Sequence, residues 1–243
     1  MTRLLLSLLF ALIASPAWAA IVQDATSQGS KDATGTTLDV SHTATGTTTD
    51  GLLVVLCSLS TSGATTITGI NWDQGGTPVA LTQHVTVDFA NSSVRSDAWY
   101  LKLPATGTKT IRVTQSAGQI MFCKARTYTG VDQTAPLGTA VNHDLASGTT
   151  LTVDVTSTTA GNEVIEQSIF TANPFTQTIG ANQTLIGTEQ AQTGLEENSS
   201  SEPAGGTITM SWTWSGNDNC TMLAMEVRAP ATGRRAVAPI ILD

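Results

Sequence analysis

The sequence predicts an all-β protein, a two-sheet antiparallel β-sandwich of jelly-roll or immunoglobulin-like kind. Three observations predict it. Apolar and polar residues alternate with period two through much of the chain, as in strands with one buried and one wet face. Turn-forming pairs recur between the runs, at Asp50-Gly51, Gly75-Gly76, Ser147-Gly148, Ala160-Gly161 and Gly205-Gly206. No segment of about a dozen residues carries a helical apolar stripe.

Taken in order, residues 1–19 come first. Arg3 precedes an apolar run over residues 4–13, and Ala17-Trp18-Ala19 offers small residues flanking a cleavage point. That pattern is a secretory signal peptide cut after Ala19, and it predicts a periplasmic or extracellular protein. The apolar run is about half the ~20 residues that a bilayer-spanning helix needs, so no membrane insertion is expected. Residues 20–228 form the expected sandwich domain, without a Pro- or Ser-rich linker to divide it.

Within that domain Leu38 and Val40 alternate with Thr37, Asp39 and Ser41, and Ile111 and Val113 alternate with Thr110, Arg112 and Thr114. Leu151, Val153 and Val155 interleave with Thr152 and Asp154, and Ile208, Met210, Trp212 and Trp214 with Thr207, Thr209, Ser211 and Thr213. Threonine suits the outer face because its β-branch fits the pleat and its hydroxyl meets water. Residues 52–59, 94–103, 119–128, 163–171 and 221–227 read as strands covered on both faces or partly so. Residues 229–243 read as a tail, with Pro230, Gly233 and Pro239 as strand breakers and an apolar tip, Ile240-Ile241-Leu242, able to engage a partner by strand addition.

The mature chain would carry few charges, and the whole chain has a net charge of −8. That balance excludes nucleic acid as a partner, since phosphates would be repelled. Three cysteines are present. Cys57 and Cys123 each lie mid-strand among apolar residues, which fits either small reduced core residues or a disulfide between the two.

Catalytic motifs are missing from the pattern. No G-x-S-x-G elbow occurs, and His42, His84 and His143 lie far apart, each expected in a turn or on the surface. Glu163 and Glu166, three apart in a strand, point to opposite faces, which disfavours the paired carboxylates of a glycosidase. Glu196, Glu197 and Glu202 read as solvated loop charge. Asp73 in NWDQGG and Asn217-Asp218-Asn219 in SGNDN supply oxygens suited to calcium, although Asx turns account for both. No other cofactor is expected. Aromatic residues point to binding, because sugars stack their CH faces on exposed rings, an extension of the reasoning for aromatic faces. Trp72 beside Asp73 near a loop, with the neighbours Trp99 and Tyr100, is the ligand site that the sequence suggests.

The stretches SHTATGTTTDGLLVVLCSLS, AWYLKLPATGTKTIRVTQS, RTYTGVDQTAPLGTA and TITMSWTWSGNDNCTMLAMEVRAP resemble a β-sandwich domain that recurs in uncharacterised secreted bacterial proteins and in phage tail or virion-associated proteins. The resemblance implies the fold and brings no catalytic residues with it. The expected function is a secreted, non-catalytic module that recognises a glycan or cell-surface polymer. A structural subunit of a surface appendage or virion, and an extracellular polysaccharide hydrolase or lyase, are the alternatives.

Overall fold

A computed structural model describes residues 20–46, 49–60, 65–171, 176–192 and 194–231. The signal segment and the Ile240-Ile241-Leu242 tip lie outside them. In chain order the strands are β1 (Val22–Lys31), β2 (Thr37–Ala44), β3 (Leu52–Ser60), β4 (Ile67–Trp72), β5 (Val79–Ala80), β6 (Thr82–Phe89), β7 (Val94–Lys102) and β8 (Gly107–Gln115). They continue with β9 (Met121–Thr129), β10 (Val141–Thr158), β11 (Glu163–Phe170), β12 (Gln177–Ile179), β13 (Thr184–Leu185), β14 (Gln190–Gln192), β15 (Leu195–Pro203) and β16 (Gly206–Val227). No helix occurs among the described residues.

Among the described residues all pairings are antiparallel and make three sheets. Sheet I runs β1-β9-β3-β7-β6, and sheet II runs β2-β8-β4-β5. Sheet III runs β10-β16-β11-β15-β13, with β12 on β16 and β14 on β15. Sheets I and II make the expected sandwich, whose core holds Val40, Val55, Ile70, Trp72, Trp99, Ile111 and Val113. The other face of sheet I packs on sheet III through Leu52, Val54, Leu56, Tyr128, Ile165, Leu223 and Met225. Sheet I is therefore covered on both faces, and this is why β3 reads LLVVLCSLS without alternation.

Sheet III also folds over itself. The register of β10 on β16 shifts between Leu145 and Gly148 and again between Gly148 and Thr150, and such bulges bend a strand pair. The first half of β16 thereby covers the second: Phe170 meets Trp212 and Trp214 edge to face at 6.1 and 5.3 Å, and Leu151, Met210 and Met222 close the third core. The SGNDN segment lies at this bend within β16 rather than in a separate turn.

Cys57 and Cys123, register partners on β3 and β9, form a disulfide, and Cys220 is a buried free thiol. His42 lies in β2 and is buried, contrary to the turn or surface position that its sequence context suggests. It is held by Ser27 and Thr127 and meets Trp72 edge to face. Burial lowers it to about 4, against the pull of Asp24, so it is neutral at ordinary pH.

The largest departure from expectation is LEENSSSEP. The residues read as solvated loop charge form β15, and Glu196 and Glu197 are buried, with Glu202 half-buried. Between sheets I and III, Lys124 pairs with Glu197 at 3.2 Å, both wholly buried, and donates to Ile186 O at 3.0 Å. Arg126 donates to Ser199 and to the Glu166 carbonyl. On the opposite face of β11, Glu166 accepts hydrogen bonds from Ser168, Ser200 and the Trp212 indole at 2.7, 2.7 and 3.1 Å. A buried carboxylate must be satisfied in this way because burying an unpaired charge is costly.

Candidate functional site

At one end of the molecule the entry to β1, the β9–β10 and β10–β11 connections and the exit from β16 surround a cleft of about 580 Å³. Its polar residues are Asp132, Ser157, Thr159, Asn162, Glu226 and Arg228. A second cleft of about 450 Å³ shares Ala20, Gly161 and Asn162 with it and continues past Glu163, Thr184, Ile186 and Ser201.

Local sequence explains the floor. The β10–β11 turn is closed by Asn162 N–H donating to Thr159 C=O at 3.1 Å, and Gly161, at φ 92°, takes the left-handed position that a type II turn requires of its third residue. The turn aims the Asn162 side chain at the last residues of β16. Asn162 Nδ2 donates to Glu226 Oε1 at 2.7 Å, and its Oδ1 accepts from Ala229 N–H at 2.8 Å. Glu226 Oε1 also accepts from Thr159 N–H at 2.8 Å, while Arg228 Nε donates to Oε2 at 3.0 Å. Glu226 and Arg228 are two apart and so share a face of the strand. A Cβ at Gly138 would come within 3.1 Å of Arg228 Nη2, so glycine there leaves room for the guanidinium.

Electrostatically the floor is settled. Burial raises Glu226, but hydrogen bonds from Asn162, Thr159 N–H and Arg228 outweigh it and hold the carboxyl below its usual range. Asp132 caps its own turn through Thr134 N–H at 2.7 Å. Arg228 remains 40% exposed at its side chain, so its remaining N–H groups are accessible to a ligand.

The residues singled out from sequence lie elsewhere. Trp72 is 1% and Trp99 8% exposed, both in the core between sheets I and II, so neither indole offers a face for stacking. The reason is β4 itself: Ile67, Ile70 and Trp72 are its buried residues, and the loop begins only after the ring. Tyr100 turns to the opposite face of sheet I, edge-on to His84 at 6.3 Å. Asp73 does reach solvent. It pairs with Lys109 at 3.0 Å and borders a depression of about 360 Å³ on sheet II with Ser41, Thr108 and Thr110. Among the described residues no group of three or more His, Cys, Asp and Glu side chains is disposed to hold a metal ion.

The floor went unnoticed in the sequence because Asn162 lies 64 and 67 residues along the chain from its partners Glu226 and Ala229. The available signals were a Gly-Asn turn between two strands and an acid–base pair at spacing two where a strand ends. No known protein family, curated protein or solved structure matches the chain.

Proposed function

We propose that the chain is an exported, non-catalytic binding module that holds a glycan or other polar cell-surface polymer in the end cleft. The observation that carries the reading is the Asn162–Glu226–Arg228 floor, a rigid set of polar groups in a groove large enough for a sugar residue. Such a floor, with donors and acceptors already oriented, suits a hydroxyl-rich ligand because little ordering remains to be done on binding.

The floor fits binding better than hydrolysis. A glycosidase needs one carboxyl held protonated and another facing it across the scissile bond. Glu226 is fully hydrogen-bonded and held ionised, and Glu163, which burial raises, borders the other cleft. The assembly reading, as a subunit of a surface appendage or virion, draws on the position of Ala229, Pro230 and Ala231 in the cleft wall, just before the tail with its apolar tip.

The test is a glycan and cell-wall polysaccharide array probed with residues 20–243. Arg228→Ala and Asn162→Ala are expected to weaken selective binding at least tenfold with the fold intact. Trp72→Ala is expected to act on stability instead, by about 3–5 kcal/mol for a buried indole. Retention of full binding by both cleft variants would refute the site, and silence across the array would leave assembly as the better reading.

A further inference from the structure

Ala20, the residue that follows the expected cleavage point, lines both clefts at their junction. Before processing, its nitrogen is an amide with one N–H and no charge. Hydrolysis by a signal peptidase adds water across the Ala19–Ala20 bond, leaving a carboxylate on Ala19 and an ammonium with three donors on Ala20. We propose that this new amino terminus is part of the site: the Ala20 ammonium pairs with Glu163 and closes the junction between the two clefts. The inference rests on the export reading above.

Glu163 is the acid that lines the second cleft together with Ala20. Glu226 already accepts from Asn162, Thr159 and Arg228, and Asp132 accepts from Thr134 N–H. On β1, Asp24 is occupied by Thr45 and Gly46. Glu163, half-buried in the wall of the second cleft, has the Ser201 hydroxyl as its hydrogen-bond donor.

The charges behind it point the same way. Lys124 and Arg126 face sheet III from β9, and against these two cations stand Glu163, Glu166 and Glu197. Lys124 is paired with Glu197, and Arg126 donates from Nη2 to Ser199 and the Glu166 carbonyl, while its charge attracts both Glu163 and Glu166. Tyr128, the remaining titratable group of β9 on that side, is kept neutral by burial. Of the other charges near the cleft, Glu202 adds to the acid excess and Arg228 is held by Glu226. Acids therefore outnumber cations here, and of these carboxylates Glu163 is the one that borders a cleft lined by Ala20.

The experiment compares the protein beginning at Ala20 with the same chain acetylated at Ala20, and with Glu163→Gln. The α-amine is titrated through the pH dependence of its acylation, read on the N-terminal peptide by mass spectrometry. An ordinary α-amine titrates at about 7.7–8.0. The Ala20 amine is expected about one unit higher, making it about tenfold less reactive near neutrality, and Glu163→Gln is expected to return it to the ordinary range. Because the folded value is raised, the contribution is complete below the ordinary value and fades as pH rises through the folded one. Acetylation should therefore lower the Tm by several degrees at pH 7 and by much less above pH 10. An ordinary amine in the Ala20 form, or equal Tm values with and without the acetyl group, overturns the proposal. The first residue of the exported protein tests the cleavage separately, and any start other than Ala20 overturns that step. Array binding by the Ala20 form tests the binding-module reading independently of both.

Discussion

Burial lifts the Glu197 carboxyl from its ordinary 4.5 to about 7, against the opposing attraction of Lys124 and the hydrogen bond from Gln167. A carboxyl raised on folding retains a proton that the unfolded chain has already released, so this group weakens the fold as pH rises from about 4.5 to about 7. Glu197→Gln removes that dependence. Relative to the parent, its stability is expected to rise across the window by an amount on the order of 3 kcal/mol, measured by urea denaturation at graded pH. His42 works with the opposite sign: its lowered value makes the fold gain stability as pH rises from about 4 to 6.5. A flat profile for the parent is therefore no evidence against either group, and only the difference between parent and variant is diagnostic. If that difference does not change between pH 4.5 and 7, Glu197 does not titrate as its burial requires.

Strands β3 and β9 carry both the disulfide and the shared faces of sheet I. The bridge closes a chain separation of 66 residues, and both cysteines are almost wholly buried. The Cys57→Ala, Cys123→Ala double variant is expected to lose about 2–5 kcal/mol in thermal or urea denaturation. In the parent, mild reductant should act only as the protein unfolds. A double variant as stable as the parent would show that the sheet contacts alone set the pairing. The same strands show what sequence can reveal of an element. β2, TLDVSHTA, alternates because one face is wet, and residues 37–41 follow the predicted pattern, while buried His42 continues the alternation against expectation. β15 was illegible as a strand because each of its faces meets polar partners: Glu197 reaches Lys124 on one side, and Ser200 reaches Glu166 on the other. With Leu195 as its one buried apolar residue there is no period to read, and Ser- and Glu-rich composition mimics a loop. The cleft was hidden for a related reason, since Asn162 and Glu226 gain meaning only from a turn that joins distant strands. Trp72 misled because Asn71 beside it lies in β4 itself and Asp73 begins the loop only after the ring is buried.

The three sheets make two sandwiches that share sheet I. Removing either outer sheet would expose one apolar face of the shared layer, so neither sandwich can open without a large loss of buried area. Unfolding is expected as one cooperative transition. Tryptophan fluorescence, which reports on Trp72 and Trp99 in one sandwich and on Trp212 and Trp214 in folded-over sheet III, should superimpose on backbone circular dichroism. Two separated transitions would show that the sheet I–sheet III contact is a weak boundary between independent units.

Ala20 and Ala231 border the same cleft, so the first and last described residues come together at one place in the fold. A short linker joining these positions, with the chain cut at an exposed turn elsewhere, should give a circular permutant that preserves every strand pairing. Such a permutant has no chain end at the cleft. It separates what the polar floor does from what the two chain ends add.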